Sequence, residues 1–500
     1  REQTMNEIAF LDLNEISLQS LSPMLSMMVF ALFILIVGAI KKDLSRNFYC
    51  VFCIIAIFVN LGITLDFNGL SLSFWDMLLV DGISIISQII ILIASALFIP
   101  LALSTKEYFE YKIYEYYALF LFMIAGFLFM VSSNNLLIIF LGLEISSLCL
   151  YTLIALHNKA KSVEAAIKYF AMGSLSAGFF AMAIAMFYLA TNSIDIARIG
   201  VVIKDLSLNQ NLIILLGCVF IASAIGFKLS LIPFHTWIPD VYEGSNAPLA
   251  GYMSIVPKVA GFIVALRIFA MLEGSGISWI KDMLYIIAVL TMSLANIMAL
   301  VQKDVKRMLA FSSIAHAGVV LCALVANSHE ANVALFFYWI MFLFANLGAF
   351  SMLWVARCDD VVCWDKRFKH PYEKFSGLIK ILPSYAVIMG IFMIALAGIP
   401  PFSVFWGKMV LISSLIKSGY VVLSLIIMIN SAIAIYYYLK LIVFMFLKEP
   451  IVKDKNIYIS NVSMALKVIV GVAVAGTVFA FLFSGAILEF IEHFVFASGF

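Results

Sequence analysis

The sequence predicts an all-α polytopic membrane protein of about 14 transmembrane helices. Of its 500 residues, 64% are hydrophobic and 12% are charged, and the mean hydropathy is +1.09. This composition leaves no stretch with the polarity of a soluble domain. Fourteen apolar segments have roughly the 20 residues that a helix needs to cross a bilayer. They are called segments 1 to 14 and begin near residues 21, 47, 78, 115, 135, 163, 211, 248, 281, 308, 331, 381, 418 and 463.

Charge and cysteine content exclude several classes of function. The formal net charge of +2 does not predict nucleic-acid binding. Cys50 and Cys53 have the spacing of a metal-binding pair, but they lie in an apolar run without a second pair, so membrane packing is the favoured interpretation. The chain also lacks a phosphate-binding loop, a cysteine set for an iron-sulfur cluster and a nucleophile triad. We therefore expect no metal or cofactor on this chain, and any redox chemistry on another chain.

The distribution of basic residues predicts the orientation of the segments. The first twenty residues are polar and acidic, unlike a signal peptide with its basic start. Loops after odd-numbered segments carry 19 lysines and arginines, and the opposite side carries 5. Since basic loops remain in the cytoplasm, both termini are expected on the other side. The loop after segment 7 does not follow this pattern, because its Asp240 and Glu243 have no basic neighbour in the sequence.

Two segments are expected to be discontinuous. In segment 7, Pro233 lies just after Lys228, and proline breaks or kinks a helix within about two turns. Segment 12 spans 382–416, which is longer than the roughly 20 residues of one crossing, and the run 398–401 (Gly-Ile-Pro-Pro) predicts two half-helices. Broken backbone at membrane depth is tolerated where it lines a cavity.

The spacing of these breaks predicts an internal repeat. Segments 7 and 12 are five apart, and an odd offset places two copies in opposite orientations, as in transporters with inverted repeats. The repeats would be segments 4 to 8 and segments 9 to 13. The predicted division is an N-terminal tail with segments 1 to 3, a first repeat, a second repeat and a C-terminal helix, at residues 1–114, 115–275, 276–447 and 448–500.

Four ionisable residues lie deep in the apolar segments: Glu144, Lys228, Lys258 and Lys408. A charge at mid-membrane costs a few kcal/mol, so it normally faces the protein interior or a water-filled path and has a partner. A structural ion pair would explain any one of them, but four spread over both repeats favour a transport path. Glu144 is the expected partner of Lys228, and a change in their separation would move a proton.

Other polar residues permit two interpretations. His235 and His316 titrate near neutral pH and could relay protons, although a neutral, hydrogen-bonded histidine is as good an explanation for each. We expect Arg267 to snorkel outward or end a pathway, and Asp81 to lie at the membrane interface. Most of the serines in these segments are expected to serve helix packing rather than hold water. The serines considered are Ser146, Ser147, Ser223, Ser230, Ser312 and Ser313.

Five motifs in order resemble the antiporter-like membrane subunits of respiratory complex I, the bacterial NADH-quinone oxidoreductase. They are FLGLEISSLCLYTLIAL, GFKLSLIPFHTWIPDVYEG, PKVAGF, LVQKDVKRMLAFSSIAHAG and LAGIPPFSVFWGK, within roughly residues 115 to 445. By this resemblance Glu144 and Lys228 match the family's glutamate of segment 5 and lysine of segment 7. Lys258 matches its central lysine, and Lys408 matches a lysine near the outlet.

The resemblance implies coupled proton translocation along an axis of Glu144, Lys228, Lys258 and Lys408. His235 and His316 are added to this path as candidate relays because of their own positions in the sequence. Quinone, flavin and iron-sulfur clusters would belong to partner subunits. The implied partners are an antiporter-like subunit M, small membrane subunits and the lipid bilayer. The implied location is a bacterial cytoplasmic (inner) membrane with both termini on the periplasmic side. A stand-alone cation/proton antiporter of the related family is the alternative, and a non-conducting scaffold is a third possibility.

Overall fold

The computed structural model describes residues 18–41, 44–67, 71–104, 113–157, 159–355, 370–450 and 463–498. The acidic start of the chain lies outside these ranges. So do several basic loop residues on which the predicted orientation depends.

Helices account for nearly all of the described chain. Helices α1 to α7 are Leu18–Ile40, Arg46–Leu65, Gly82–Phe98, Ile113–Val131, Leu136–Ala155, Ala160–Thr191 and Ile196–Asp205. Helices α8 to α14 are Leu212–Leu229, Trp237–Gly244, Ala247–Met253, Val256–Gly274, Trp279–Leu300, Val305–Ala326 and His329–Val355. Helices α15 to α20 are Leu378–Ile381, Pro383–Ala397, Ser403–Lys417, Val421–Leu447, Met464–Phe479 and Ser484–Ala497. A hairpin of β1, Ser71–Ser73, and β2, Leu78–Val80, joins α2 to α3.

The predicted all-α membrane fold is confirmed. Thirteen helical stretches of the described chain are long and apolar enough to cross a membrane. The discontinuous pair α16 and α17 adds the crossing predicted as segment 12. The number of crossings therefore agrees with the predicted fourteen.

Both predicted helix breaks are present. Helix α8 ends at Leu229, where Ser230 has a φ of 59°, and α9 begins only at Trp237. Helix α16 ends before Gly398, whose φ of 81° is readily adopted by glycine, and α17 begins at Ser403. Segments 7 and 12 are therefore discontinuous, because left-handed residues end one half-helix and prolines prevent its continuation.

The structure also contains interruptions that the sequence analysis did not predict. Segment 8 is divided into α10 and α11 at Ser254 and Ile255. Pro257, in the first turn of α11, was a usable signal, since proline is favoured at a helix start. Segment 14 consists of α19 and α20 with a 3₁₀ turn at Ala480–Phe483 between them. The short helix α7 follows α6 and was likewise not predicted.

Helix packing follows the same pattern in the two halves of the bundle. Helix α4 packs on α5, and α12 packs on α13. Helix α6 contacts α8 and α9, which lie before and after the first break, as α14 contacts α16 and α17, which lie before and after the second. This parallel agrees with inverted repeats formed by segments 4 to 8 and 9 to 13. The exact residue boundaries of the repeats stay a prediction.

Helix α13 is the centre of the bundle. All of its residues except Arg307 are buried, and it contacts α9 and α11 of the first repeat and α12, α14, α17 and α18 of the second. A helix that is apolar around its whole circumference belongs in such a position. Ser312, Ser313 and His316 are therefore held between the two repeats.

Candidate functional site

Lys228 is bound to a serine and not to the predicted carboxylate. Its Nζ donates a hydrogen bond of 2.5 Å to Ser147 Oγ on α5. Glu144 lies one turn earlier on the same helix and is half-buried. Among the described residues, no ion pair links Glu144 to Lys228. The structure brings the two groups to one face of α5 without direct contact.

The end of α8 that carries Lys228 is rigidly held. The indole Nε1 of Trp237 donates to Phe227 O at 3.1 Å, and the backbone N–H of Leu231 donates to Gly226 O at 2.8 Å. These bonds satisfy carbonyls that a helix C-terminus leaves without partners. The ring of Trp237 also stacks on that of Tyr169, with centroids 4.4 Å apart. Because the backbone of this turn is tied down, the freedom at Lys228 is that of its side chain.

Lys258 is buried in the middle of the bundle, with 1% of its surface exposed. Its Nζ donates to Ser313 O at 2.5 Å and to Ser313 Oγ at 2.6 Å. Lys258 is near the start of α11, directly after the unpredicted break. Asn346 on α14 supports that break, because its Nδ2 donates to Gly251 O at 3.2 Å and to Ser254 Oγ at 2.7 Å. A residue of the second repeat thus supports the backbone that presents Lys258.

His316 is joined to two tyrosines. Its Nδ1 lies 2.6 Å from Tyr338 OH, and its Nε2 lies 3.3 Å from Tyr438 OH. Tyr438 OH also forms a hydrogen bond with Ser312 Oγ. Since Ser313 is the next residue after Ser312, the polar groups around His316 continue those around Lys258. The histidine is hydrogen-bonded as the simpler interpretation expected, in a position that also suits a relay.

Lys408 lies against the C-terminal end of α16. Its Nζ is 3.3 Å from Ala397 O, to which it donates. The end of a helix has a partial negative charge, so a cation is favoured there. A Cβ at Gly398 would lie 2.9 Å from Lys408 Nζ, so glycine leaves the space that the lysine fills. The break in segment 12 therefore creates both the acceptor and the room for this side chain.

His235 is less clearly part of the site. It lies in the break between α8 and α9 with 8% of its surface exposed. Among the described residues, no partner faces its Nδ1, and no hydrogen bond joins its side chain to Lys228 or Lys258. Its proposed place on the path stays a prediction.

Asp240 and Glu243 have no basic residue near them in the sequence, but the fold brings basic side chains to both. Arg307 Nη1 on α13 donates to Asp240 Oδ1 at 2.9 Å and to Glu243 Oε2 at 2.6 Å. Lys161 on α6 also pairs with Glu243, and Lys168 pairs with Asp240 at 3.1 Å. The contacts link α9 of the first repeat to α13 of the second. The basic partners come from distant segments, so the loop count did not reveal them.

Both carboxyl groups of this cluster lie outside the candidate membrane spans, and their pKa values are lowered. Burial raises the pKa of Glu243, but hydrogen bonds and charges from Lys161 and Arg307 outweigh burial and lower it. Burial likewise raises the pKa of Asp240, and bonds from Arg307 and Lys168 reverse the effect. Both groups are therefore held as carboxylates at neutral pH.

One expectation for a single residue was wrong, because Arg267 does not snorkel outward. Asp81, at the residue before the candidate span Gly82–Ala102, is the buried partner of Arg267. Their side chains are 1% and 2% exposed and form an ion pair of 2.7 Å. A desolvated arginine is stable only with such a partner, and the partner lies in a different segment.

Among the described residues, there is no group of three or more His, Cys, Asp or Glu side chains that could hold a metal ion. Both Cys50 and Cys53 are buried in the packing of α2. The sequence analysis missed the direct partners of Lys228, Lys258 and Lys408, which are Ser147, Ser313 and the backbone carbonyl of Ala397 respectively. It had assigned serines mostly to packing, and only their positions in the fold distinguish Ser147 and Ser313 from the others.

Fold and site together define an antiporter-like membrane protein: inverted repeats, broken helices and lysines at the breaks. The family described as NADH:quinone oxidoreductase/Mrp antiporter, TM, matches residues 133–434. The chain is 55% identical over 461 residues to NADH-quinone oxidoreductase subunit N of Campylobacter hominis, covering 92% of this chain and 94% of that protein. It is 50% identical over 495 residues to the subunit N of Sulfurimonas denitrificans, covering 98% of each.

A solved structure agrees with these relatives. A chain of respiratory complex I from Thermus thermophilus, solved with bound aureothin, superposes with a TM-score of 0.76 at 26% identity. The match covers 93% of this chain and 98% of that chain. The protein belongs to the NADH-quinone oxidoreductase subunit N family.

Proposed function

We propose that the chain moves protons across the membrane as a membrane-arm subunit of NADH-quinone oxidoreductase, driven by quinone reduction elsewhere in the complex. Its relatives of 50% identity or more are named as subunits of that enzyme. One observation carries the proposal: Lys228, Lys258 and Lys408 are distributed over both repeats, the first partly buried and the other two buried, and each is bound to a hydroxyl or carbonyl oxygen instead of a carboxylate. A lysine held in this way can exchange its proton, which a permanent ion pair would retain.

In the proposed path, Glu144 and Lys228 act in the first repeat, Lys258 at the centre and Lys408 near the outlet. His316, with its tyrosine partners, would connect Lys258 to Lys408, and His235 would serve the break beside Lys228. Hydrogen bonds from Lys258 to Ser313 and from His316 to Tyr438 support the central part of this order.

The partners and location follow from the same proposal. The chain would contact an antiporter-like subunit M and small membrane subunits, while quinone, flavin and iron-sulfur clusters would belong to other chains. It would lie in a bacterial cytoplasmic membrane with both termini periplasmic, an orientation supported by the 19 to 5 distribution of basic residues. A reporter fused to the C-terminus should be active outside the cytoplasm, and a cytoplasmic signal would contradict this orientation.

A stand-alone cation/proton antiporter is the alternative, and one experiment separates the two. The chain alone in vesicles and the purified complex in vesicles would each be tested for proton movement. We expect movement only in the complex and only during quinone reduction. Lys258→Ala in an assembled complex should abolish it, whereas Lys281→Ala, which changes a partly exposed lysine paired with Glu273, should not. Cation-driven proton exchange by the chain alone would support the alternative.

A further inference from the structure

The hydroxyl of Ser147 is oriented to receive the ammonium group of Lys228. Ser147 is 1% exposed and donates its own proton to Leu143 O, one turn earlier in α5. A hydroxyl has one donor and two acceptor positions, so a serine whose proton is engaged presents only lone pairs to other groups. Lys228 Nζ donates a hydrogen bond to one of these lone pairs at 2.5 Å.

Glu144 is the competing acceptor. It precedes Ser147 by three positions, and side chains three apart on a helix are neighbours, with Cβ atoms about 5–6 Å apart. The lysine side chain has four flexible methylenes and three donors, so it can exchange one acceptor for the other by rotation alone. The turn of α8 below it need not move, since Trp237 holds Phe227 O.

We propose that Ser147 is a positioning residue for proton transfer: its hydroxyl competes with Glu144 for the Lys228 ammonium and holds the lysine apart from the acid. An ammonium bound to a neutral hydroxyl can pass its proton onward. The same group bound to a carboxylate is stabilised in its charged form and retains the proton. This inference rests on the proposed function of Lys228.

The adjacent Ser146 provides a matched control. It is also buried, and its hydroxyl donates to the same carbonyl, Leu143 O, at 3.0 Å. Its other contact is the sulfur of Met130 on α4, at 3.9 Å, so it serves the packing of α4 on α5. The two serines thus differ in whether the lysine contacts them.

The test uses purified complex whose subunit content is verified, with proton pumping measured during quinone reduction. Ser147→Ala should lower pumping about tenfold, the size expected for loss of a hydrogen bond to a charged group. Ser146→Ala should leave pumping unchanged. Ser147→Thr and Ser147→Val have the same shape in the helix, and only threonine retains the hydroxyl. Threonine should therefore restore pumping, and valine should resemble alanine even if the larger side chains disturb packing.

A complex that carries Glu144→Gln tests the competition between Ser147 and Glu144 for Lys228. If Ser147 acts by drawing Lys228 away from Glu144, then Ser147→Ala should cause no further loss in a Glu144→Gln complex. A further tenfold loss there would overturn the competition. Equal pumping by the threonine and valine variants, or equal losses in Ser146→Ala and Ser147→Ala, would overturn the role of the hydroxyl while leaving the proposed function intact. Full pumping by Lys228→Ala would overturn both.

Discussion

The guanidinium of Arg267 donates a hydrogen bond of 2.7 Å to the carboxylate of Asp81, with both side chains almost fully buried. The same guanidinium donates to Ser84 Oγ at 2.9 Å. Asp81 also caps α3, because it accepts from the backbone N–H of Ser84 at 2.8 Å. This pair joins α11 of the first repeat to the start of α3 among the N-terminal helices.

Loss of Arg267 should destabilise the folded subunit. Arg267→Met leaves the Asp81 carboxylate buried without its partner, at a cost of about 3–5 kcal/mol. Asp81→Asn keeps a capping side chain, and in combination with Arg267→Met it leaves no unpaired charge, so the double variant should be more stable than Arg267→Met alone. The temperature at which the subunit is released from the complex measures the stability of each variant. A single variant as stable as wild type would show that water or another group replaces the pair.

The Arg267–Asp81 pair also shows where sequence reasoning stops. Proline and glycine act on their own backbone, so the breaks in segments 7 and 12 were predictable to within a few residues. The pair joins residues 186 positions apart, and no local pattern connects them. The same limit applies to the site: the three lysines were recognisable from the apolar segments that contain them, whereas their serine and carbonyl acceptors depend on which helices meet.

The cluster around Glu243 should make the stability of the folded protein depend on pH. The pKa of the Glu243 carboxyl group is lowered in the folded protein. Its contribution to the free energy of unfolding is therefore present above the unfolded pKa of about 4.3 and is lost as pH falls through the folded pKa. At pH 7, Glu243→Gln should cost about 1 kcal/mol, allowing for partial solvent screening. The difference from wild type should shrink below roughly pH 4. Thermal unfolding at several pH values measures it.

Glu164→Gln is the control for this experiment. Glu164 pairs with Lys168 on the exposed face of α6, with side chains 60% and 46% exposed. Such a surface pair contributes about 0–1 kcal/mol to stability, so its loss should leave thermal unfolding nearly unchanged at every pH. If the two glutamine variants behave alike, Glu243 contributes no more than a surface charge.

Lys408 should be required for pumping but not for assembly. Lys408→Ala removes the cation at the end of α16, and pumping should fall roughly a hundredfold, the lower end of what a positioned proton-transfer group contributes. Lys417→Ala changes an exposed lysine in the last turn of α17, the helix that also carries Lys408, and should have no effect. Pumping is measured with subunit content verified. Wild-type pumping in an assembled Lys408→Ala complex would make this lysine a structural charge.

Glu144 and Lys228 should act as one unit, although no direct ion pair joins them. Both present their charges to one face of α5, and the lysine reaches that face through Ser147. Lys228→Ala deprives the half-buried carboxylate of its nearest counter-charge, and Glu144→Gln leaves the lysine with neutral acceptors only. Each change should lower proton-coupled quinone reduction at least about tenfold, because transfer needs an acid and a base in alternation.

The double variant and a charge-conserving variant decide how the two residues cooperate. If the charges form one transfer unit, removing the second after the first costs nothing more, so the double variant should equal the more damaging single. Lys228→Arg keeps the positive charge but should also be impaired, because arginine does not release its proton in proteins. Turnover and pumping of all four variants in verified complex provide the measurement. A double variant far below both singles would assign the residues to independent steps, and a fully active Lys228→Arg would mean that Lys228 supplies only a fixed charge to Glu144.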